Sequence, residues 1–335
     1  MPNVQVGPRS LETVEPGVSA SSMDAAATTA RSVHELPVTA PYRLDLTVSA
    51  LRRLSTNIVD VLTPDGRYMR ALPMSRGDVI ARVAQLHPES LTVRLDGDAR
   101  DHGPALATVR RMLGIDRELA HFDRAAARIP WLTPLAERMR GVRPPRYPTL
   151  WEACVNAIVF QQVSLYAASA IMHRLIVALE PPLKGEAVSL YTFPTTERFL
   201  GAEDDVLRAA GLSHGKRSTL RRVAEALTAG TLDETMLENR ASPDAAAFLR
   251  EVKGIGPWTA TVILLRGLGR LDVFPMNDSS VARNLSLVSR SDRIDVEDTL
   301  NSLSPQQGML YYHLLLARLE TRGDVGRASG SSEIE

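Results

Sequence analysis

From Tyr42 to Val48 apolar and polar side chains alternate, with Tyr42, Leu44, Leu46 and Val48 separated by Arg43, Asp45 and Thr47. A period of two is that of a half-buried strand, so the pattern predicts a strand there. Residues 57–72 then read as a hairpin around Pro64-Asp65-Gly66. Val79–Leu86 and Leu91–Leu95 add two short strands, so residues 38–102 are predicted to form a small antiparallel sheet domain. From about Pro104 the period becomes helical, in segments at 104–114, 132–141, 150–160, 164–180, 217–227 and 309–320 set apart by Gly and Pro. Residues 103–320 are therefore predicted to be an all-helical body of roughly eight to ten helices. The fold class is α+β, an N-terminal antiparallel sheet followed by helices. Residues 1–37 are rich in Ala, Ser, Thr, Val and Pro without sustained periodicity or aromatic rings, and they are expected to be disordered, as is the tail 321–335.

Composition narrows the chemistry. The chain of 335 residues is long enough for two cores, and its 44% hydrophobic content is that of an ordinary globular protein. A single cysteine, Cys154, excludes an intramolecular disulfide, an iron–sulfur cluster or a multi-cysteine zinc site, and a reducing cytoplasm is the natural setting. No run reaches the 18 or so apolar residues of a membrane span, and no basic segment followed by an apolar core opens the chain, so neither membrane insertion nor secretion is expected. Formal net charge is zero, but the two acidic ends carry −2 (residues 1–36) and −1 (residues 321–335), leaving the body at +3. Six arginines and one acid lie between Arg124 and Arg146, and five bases and no acid between Arg208 and Arg222. Either group could form a phosphate-facing stripe or a solvated helix face.

The most informative stretch runs from Phe248 to Leu285. A short helix enters Gly254-Ile255-Gly256-Pro257 and a second helix follows, a helix-hairpin-helix. Two glycines permit a turn tight enough for its amides, and those opening the next helix, to face one phosphate, and proline suits the first helical position. An ordinary αα-hairpin with a glycine turn would look the same locally. Downstream, Asp272-Val273-Phe274-Pro275 leads to Asn277 and Asp278 before the helix SSVARNL, where an Asp commonly serves as an N-cap.

Taken together, GIGPWTA, the apolar helix ending in LRGLG, and DVFPMND resemble the helix-hairpin-helix Gly/Pro-Asp motif of base-excision DNA glycosylases, above all the 3-methyladenine DNA glycosylase II family. The resemblance extends from Tyr42 to about Glu320. It implies a two-lobed helical domain that binds duplex DNA as a monomer in the bacterial cytosol, with Asp278 as the catalytic carboxylate. It also implies that the hairpin residues Gly254, Ile255, Gly256 and Thr259 meet a DNA phosphate. No cofactor is required, although hairpin carbonyls in the family often hold a monovalent cation. Bifunctional relatives resembling endonuclease III carry a Lys immediately before the hairpin Thr-Ala. Here that position is Trp258, which cannot form a Schiff base, so water is the expected nucleophile and strand cleavage is not expected.

The target base must leave the stack to be reached, and something must fill its place. The resemblance assigns the wedge to Phe160-Gln161-Gln162-Val163-Ser164, with Gln162 at the position where a close relative has Leu. Trp258 is the leading ring for the base pocket, since electron-rich rings suit a cationic base, and the alternative is a core Trp closing the hairpin. Val262 and Leu315 occupy places where a close relative carries Tyr and Trp, which leaves the pocket less aromatic. Tyr166, Tyr311, Tyr312, His313, Trp131 and Trp151 read as core. His214, Lys216 and Arg217 read as a loop that meets either phosphate or solvent. A cationic alkylated purine leaves without a general acid, and one carboxylate in a dry pocket suffices to stabilise the oxocarbenium sugar. The rival readings are a glycosylase for another lesion, which would need an acid for a neutral leaving base, and a helix-hairpin-helix DNA-binding protein without catalysis.

Overall fold

The computed structural model describes residues 29–186, 188–276, 279–288 and 294–329. The stretch expected to be a strand at Tyr42–Val48 is instead a helix, α1 (Leu44–Arg52). Leu44, Val48 and Leu51 pack into one core cluster and Leu46, Ala50 and Leu54 into another. Each set follows helical spacing, and two apolar faces on one helix make every second position apolar, which imitates the period of a strand.

Five antiparallel strands flank α1: β1 (Thr29–Pro37), β2 (Val61–Leu62), β3 (Tyr68–Met74), β4 (Gly77–His87) and β5 (Ser90–Asp98), in spatial order β1-β5-β4-β3-β2. The predicted hairpin is β2–β3, with Val61 opposite Met69 and Leu62 opposite Tyr68. β1 corrects the expectation that residues up to 37 lack structure. Its Leu36 points into the core, but Ser32 occupies an equivalent inward position and its Oγ lies 2.8 Å from His102 Nδ1. Polar inward residues erase the apolar alternation by which a strand is recognised. Residues 1–28 lie outside the described residues.

The chain then becomes helical: α2 (His102–Met112), α3 (Ala120–Ala126), α4 (Thr133–Arg138), α5 (Leu150–Val159), α6 (Leu165–Leu179), α7 (Thr196–Leu200), α8 (Asp204–Ala209), α9 (His214–Thr228), α10 (Glu234–Glu238), α11 (Ser242–Arg250), α12 (Pro257–Gly267), α13 (Ser279–Val288), α14 (Val296–Leu303) and α15 (Gly308–Glu320). The excess over the predicted number comes from elements such as α4, α7, α8 and α10, one or two turns long and too short to display a 3.6-residue period. The helices form two cores. One joins α5, α9 and α12 through Ile158, Leu220 and Ile263, and the other gathers around α15 through Phe122, Leu310 and Leu316. α12 serves both, with Ile263 and Leu264 in the first and Leu265 in the second. The fold is thus α+β with a two-lobed helical body, as the pattern and the resemblance required.

Thr321–Ser329 are also ordered, against expectation. Arg52 donates to the carbonyls of Asp324 (3.4 Å) and Arg327, Gly326 N–H donates to Ser49 Oγ (2.9 Å), and Ser329 N–H donates to Leu62 O (2.7 Å). Those partners lie more than 260 residues away in sequence, where no local pattern can announce them.

His313 on α15 is fully enclosed, tilted against Phe122 at 4.6 Å between ring centroids, and its Nδ1 lies 2.9 Å from Met309 O. Burial pushes its pKa down to about 4. A depressed folded-state pKa contributes stability that is present above the unfolded value near 6.5 and lost as pH falls toward 4. The expected loss over that window is about 3 kcal/mol, and His313→Gln should remove that part of the slope, as measured by urea denaturation of both proteins at pH 7, 5.5 and 4.

Candidate functional site

The turn between α11 and α12 is held open by one glycine. Gly254 has φ +106, and a Cβ there would lie 1.9 Å from Thr219 Oγ1 of α9, so neither backbone nor space admits a side chain. Gly256 differs from the expectation that both glycines make the turn tight: its φ is −89, it precedes α12 in extended conformation, and a Cβ would meet nothing within 4 Å. Pro257 opens α12 in its first turn, as expected. The first-turn amides of a helix have no intrahelical partner, and here they open beside the cleft lined by Gly254, Gly256, Pro257, Trp258 and Thr259. Ile255 does not belong to that surface. Its side chain is buried and its N–H already donates to Val252 O at 3.0 Å, so it secures the turn from inside.

Facing the hairpin, the connection from α5 to α6 carries Gln161 and Gln162. Gln161 Nε2 donates to Gly254 O at 3.1 Å and to Thr259 Oγ1 at 2.7 Å, bridging the two loops. A cation on the Gly254 carbonyl would first have to displace that amide. Among the described residues no group of three or more His, Cys, Asp or Glu could hold a metal ion. Gln162 adopts φ +54, the left-handed region that a side chain enters at a cost of about 1 kcal/mol or more, and it is exposed at the tip of the loop. The loop's end is fixed by Ser164, which caps α6 by accepting from Ala167 N, and the end of α5 is held by Lys216 Nζ donating to Val159 O at 2.8 Å.

Between these loops lies a cleft of about 760 Å³. Trp258 forms part of its wall while also packing on the core, and its Nε1 is buried without a partner among the described residues. Tyr311 and Leu315 line it from α15, Arg283 and Asn284 from α13, Phe160 from the end of α5 and Arg53 from the end of α1. Asp278 lies outside the described residues, as does Asn277. The helix that begins at the next residue, α13, nonetheless brings Arg283 and Asn284 to the wall. The described wall therefore carries Arg53, Arg283 and Arg318 and no described carboxylate.

Several sequence readings change. Tyr312 and His313 are core as read, Tyr311 is buried in the same core while also lining the cleft, and Tyr166 is exposed, with the Arg322 guanidinium 4.9 Å from its ring centre. Trp151 is core and donates to Pro194 O, Trp131 is half-buried, and Val262 is core. His214 starts α9 rather than sitting in a loop. Arg217 is turned inward to Asp204 Oδ1 (2.9 Å) and Leu212 O (2.6 Å), and Arg143 and Arg146 are buried, the latter paired with Glu234, so neither basic cluster is one continuous stripe. Arg53, Arg283 and Arg318 were missed, since no local spacing marks an arginine for a cleft wall.

Comparison with known proteins gives a consistent assignment. A family model for HhH-GPD superfamily base excision DNA repair proteins matches residues 155–306, and a model for the AlkA N-terminal domain matches residues 33–148. The chain is 32% identical over 248 residues to a probable bifunctional transcriptional activator/DNA repair enzyme AlkA of Mycobacterium tuberculosis, an alignment covering 72% of this chain and 48% of that protein, so the chain spans about half the relative's length. It is 26% identical over 245 residues to DNA-3-methyladenine glycosylase 2 of Escherichia coli, covering 71% and 82% of the two chains. Among solved structures, a 3-methyladenine DNA glycosylase from Archaeoglobus fulgidus shares the fold, with a TM-score of 0.72 at 22% identity over 86% of this chain and 99% of that one.

The two hairpin glycines should respond differently to a methyl group. Gly254→Ala is expected to destabilise the protein by at least about 2 kcal/mol, from overlap with Thr219 and a strained φ, whereas Gly256→Ala should stay within about 1 kcal/mol of wild type. Thermal melts of both variants decide this, and equal losses would contradict the geometry.

Proposed function

Because the chain belongs to the helix-hairpin-helix Gly/Pro-Asp superfamily of base-excision DNA repair proteins, within its AlkA family, we propose that it is a monofunctional DNA glycosylase that hydrolyses the N-glycosidic bond of alkylated bases in duplex DNA, the 3-methyladenine and 7-methylguanine class. The observation that carries this reading is the convergence of three parts on one cleft: the hairpin amides, the Gln162 tip and the Trp258 ring. The volume, about 760 Å³, suits a single extruded nucleotide.

In this reading the amides opening α12 hold a phosphate at a helix N-terminus. Gln162 enters the gap left by the base, which is drawn out against an unstacking cost that damage lowers. Trp258 offers a π-face to the extruded purine. An alkylated purine is already cationic, so the C1′–N bond breaks with its electron pair neutralising the base, and no acid is needed. Asp278 stabilises the positive charge growing on the sugar and orients the water that attacks C1′. Trp258 in place of an amine makes water the nucleophile, so the product is an abasic site in an unbroken strand. The chemistry calls for no cofactor and for one copy of the chain.

The test is release of methylated bases from alkylated duplex DNA, with abasic sites and nicks counted separately. Wild type should release base without nicking or borohydride-trapped adduct, and Asp278→Asn should lose at least about 10²-fold in single-turnover rate while still binding DNA. Binding without release by the wild type would favour a non-catalytic DNA-binding protein instead. Nicking by the wild type would refute the assignment of water.

A further inference from the structure

Tyr166 stands beside the wedge loop with about half of its surface in solvent. Ser164 Oγ accepts from Ala167 N at 3.2 Å, so the first turn of α6, which carries Tyr166, is held against that loop. Its sequence neighbour Leu165 lines the cleft, and so does Arg318, four residues before Arg322. Tyr166 and Arg322 lie outside that lining, at the rim, with the Arg322 guanidinium over the ring at 4.9 Å from the centroid. Tyr166 is 51% exposed, and Val163, next to the Gln162 tip, is 39% exposed. The wedge segment thus carries apolar area, including an aromatic face, that the folded chain leaves in water beside its cleft. A cation over one face of the ring disfavours a second cation on the other, so this ring does not suit a positively charged lesion, whereas it suits a neutral base.

We propose that Tyr166 stacks on the base opposite the extruded one, so that the wedge segment works on both strands, with Gln162 in the gap left by the lesion and Tyr166 against the orphaned partner. This rests on the glycosylase reading above and extends it to the undamaged strand. Extrusion breaks one base pair, and the partner loses its hydrogen bonds and part of its stacking while remaining neutral. A protein ring laid against it restores a stacked neighbour, which lowers the cost of holding the duplex open. Val163, between the two residues in the chain, adds apolar surface along the same edge. The Arg322 guanidinium backs the ring on one side, so less side-chain freedom remains to be lost when a base arrives. Recognition through a π-face accepts any of the four bases, so the contact senses whether a partner base is present rather than which one it is.

The experiment measures affinity for duplexes that carry a tetrahydrofuran abasic analogue at the lesion position and, opposite it, either adenine or a second tetrahydrofuran, using wild type, Tyr166→Ala and Tyr166→Phe. Because Tyr166 is half in solvent, neither substitution opens the core. Wild type should bind the adenine duplex at least about fivefold more tightly, a preference that Tyr166→Ala loses and Tyr166→Phe keeps. A merely structural role would weaken both complexes alike and leave the preference intact, and that result would overturn the proposal. So would a wild type indifferent to the partner base, or a Tyr166→Phe variant that behaves as Tyr166→Ala does. A wild type that binds neither duplex better than undamaged DNA and releases no methylated base would remove the glycosylase reading itself.

Discussion

Arg266 is the interaction on which the arrangement of the cleft depends. Its side chain is almost completely enclosed, and Nη2 donates to Ala50 O at 3.0 Å and Leu51 O at 2.8 Å, the last carbonyls of α1. The rings of Tyr147 and Tyr312 lie 5.0 and 5.9 Å from its guanidinium carbon. Carbonyls at a helix C-terminus lack intrahelical partners and carry partial negative charge, so a buried cation there meets both needs without a carboxylate. Arg266 belongs to α12, the helix whose first turn forms the hairpin side of the cleft, and α1 ends at Arg52, immediately before Arg53, which also lines the cleft. One guanidinium thereby ties the helix that carries the hairpin to the end of α1, which packs in the core of the sheet layer.

The helical body was legible because most of its long helices bury one face and show a 3.6-residue period. Two elements were not, for opposite reasons. α1 buries two faces and so imitated a strand, whereas β1 turns Ser32 inward and so imitated nothing. At the site, Gly254 and Pro257 were legible because backbone geometry demands those residue types. Gln161 was legible as a neighbour of the wedge but not as a bridge, since its partners lie 93 and 98 residues away. Arg53 was illegible in principle. It forms an Arg-Arg pair with Arg52, and only the tertiary structure sends one guanidinium to the C-terminal segment and the other to the cleft.

Charge counting misled in a similar way. A basic body suggested exposed stripes, yet Arg52, Arg53, Arg70, Arg143, Arg146, Arg217, Arg266 and Arg318 are all buried, against Asp60, Asp98, Asp101, Glu152 and Asp324. Among the described residues, more positive than negative charge is therefore held inside. Part of it is paired, as where Arg70 meets Asp60 at 2.7 Å and also Glu152, and burial pushes the Glu152 carboxyl upward despite that partner. Arginine is used here largely as a five-donor connector for backbone carbonyls rather than as surface charge.

The Gln161 bridge makes the hairpin and the Gln162 tip a single body. Loops that moved independently could find a phosphate and a vacated base position at variable separations along a strand. Joined by one amide side chain, they become a caliper with a set gap. In the proposed reading, the number of nucleotides between a phosphate at the hairpin and a step entered by Gln162 is then a property of the protein, read out against DNA of any sequence.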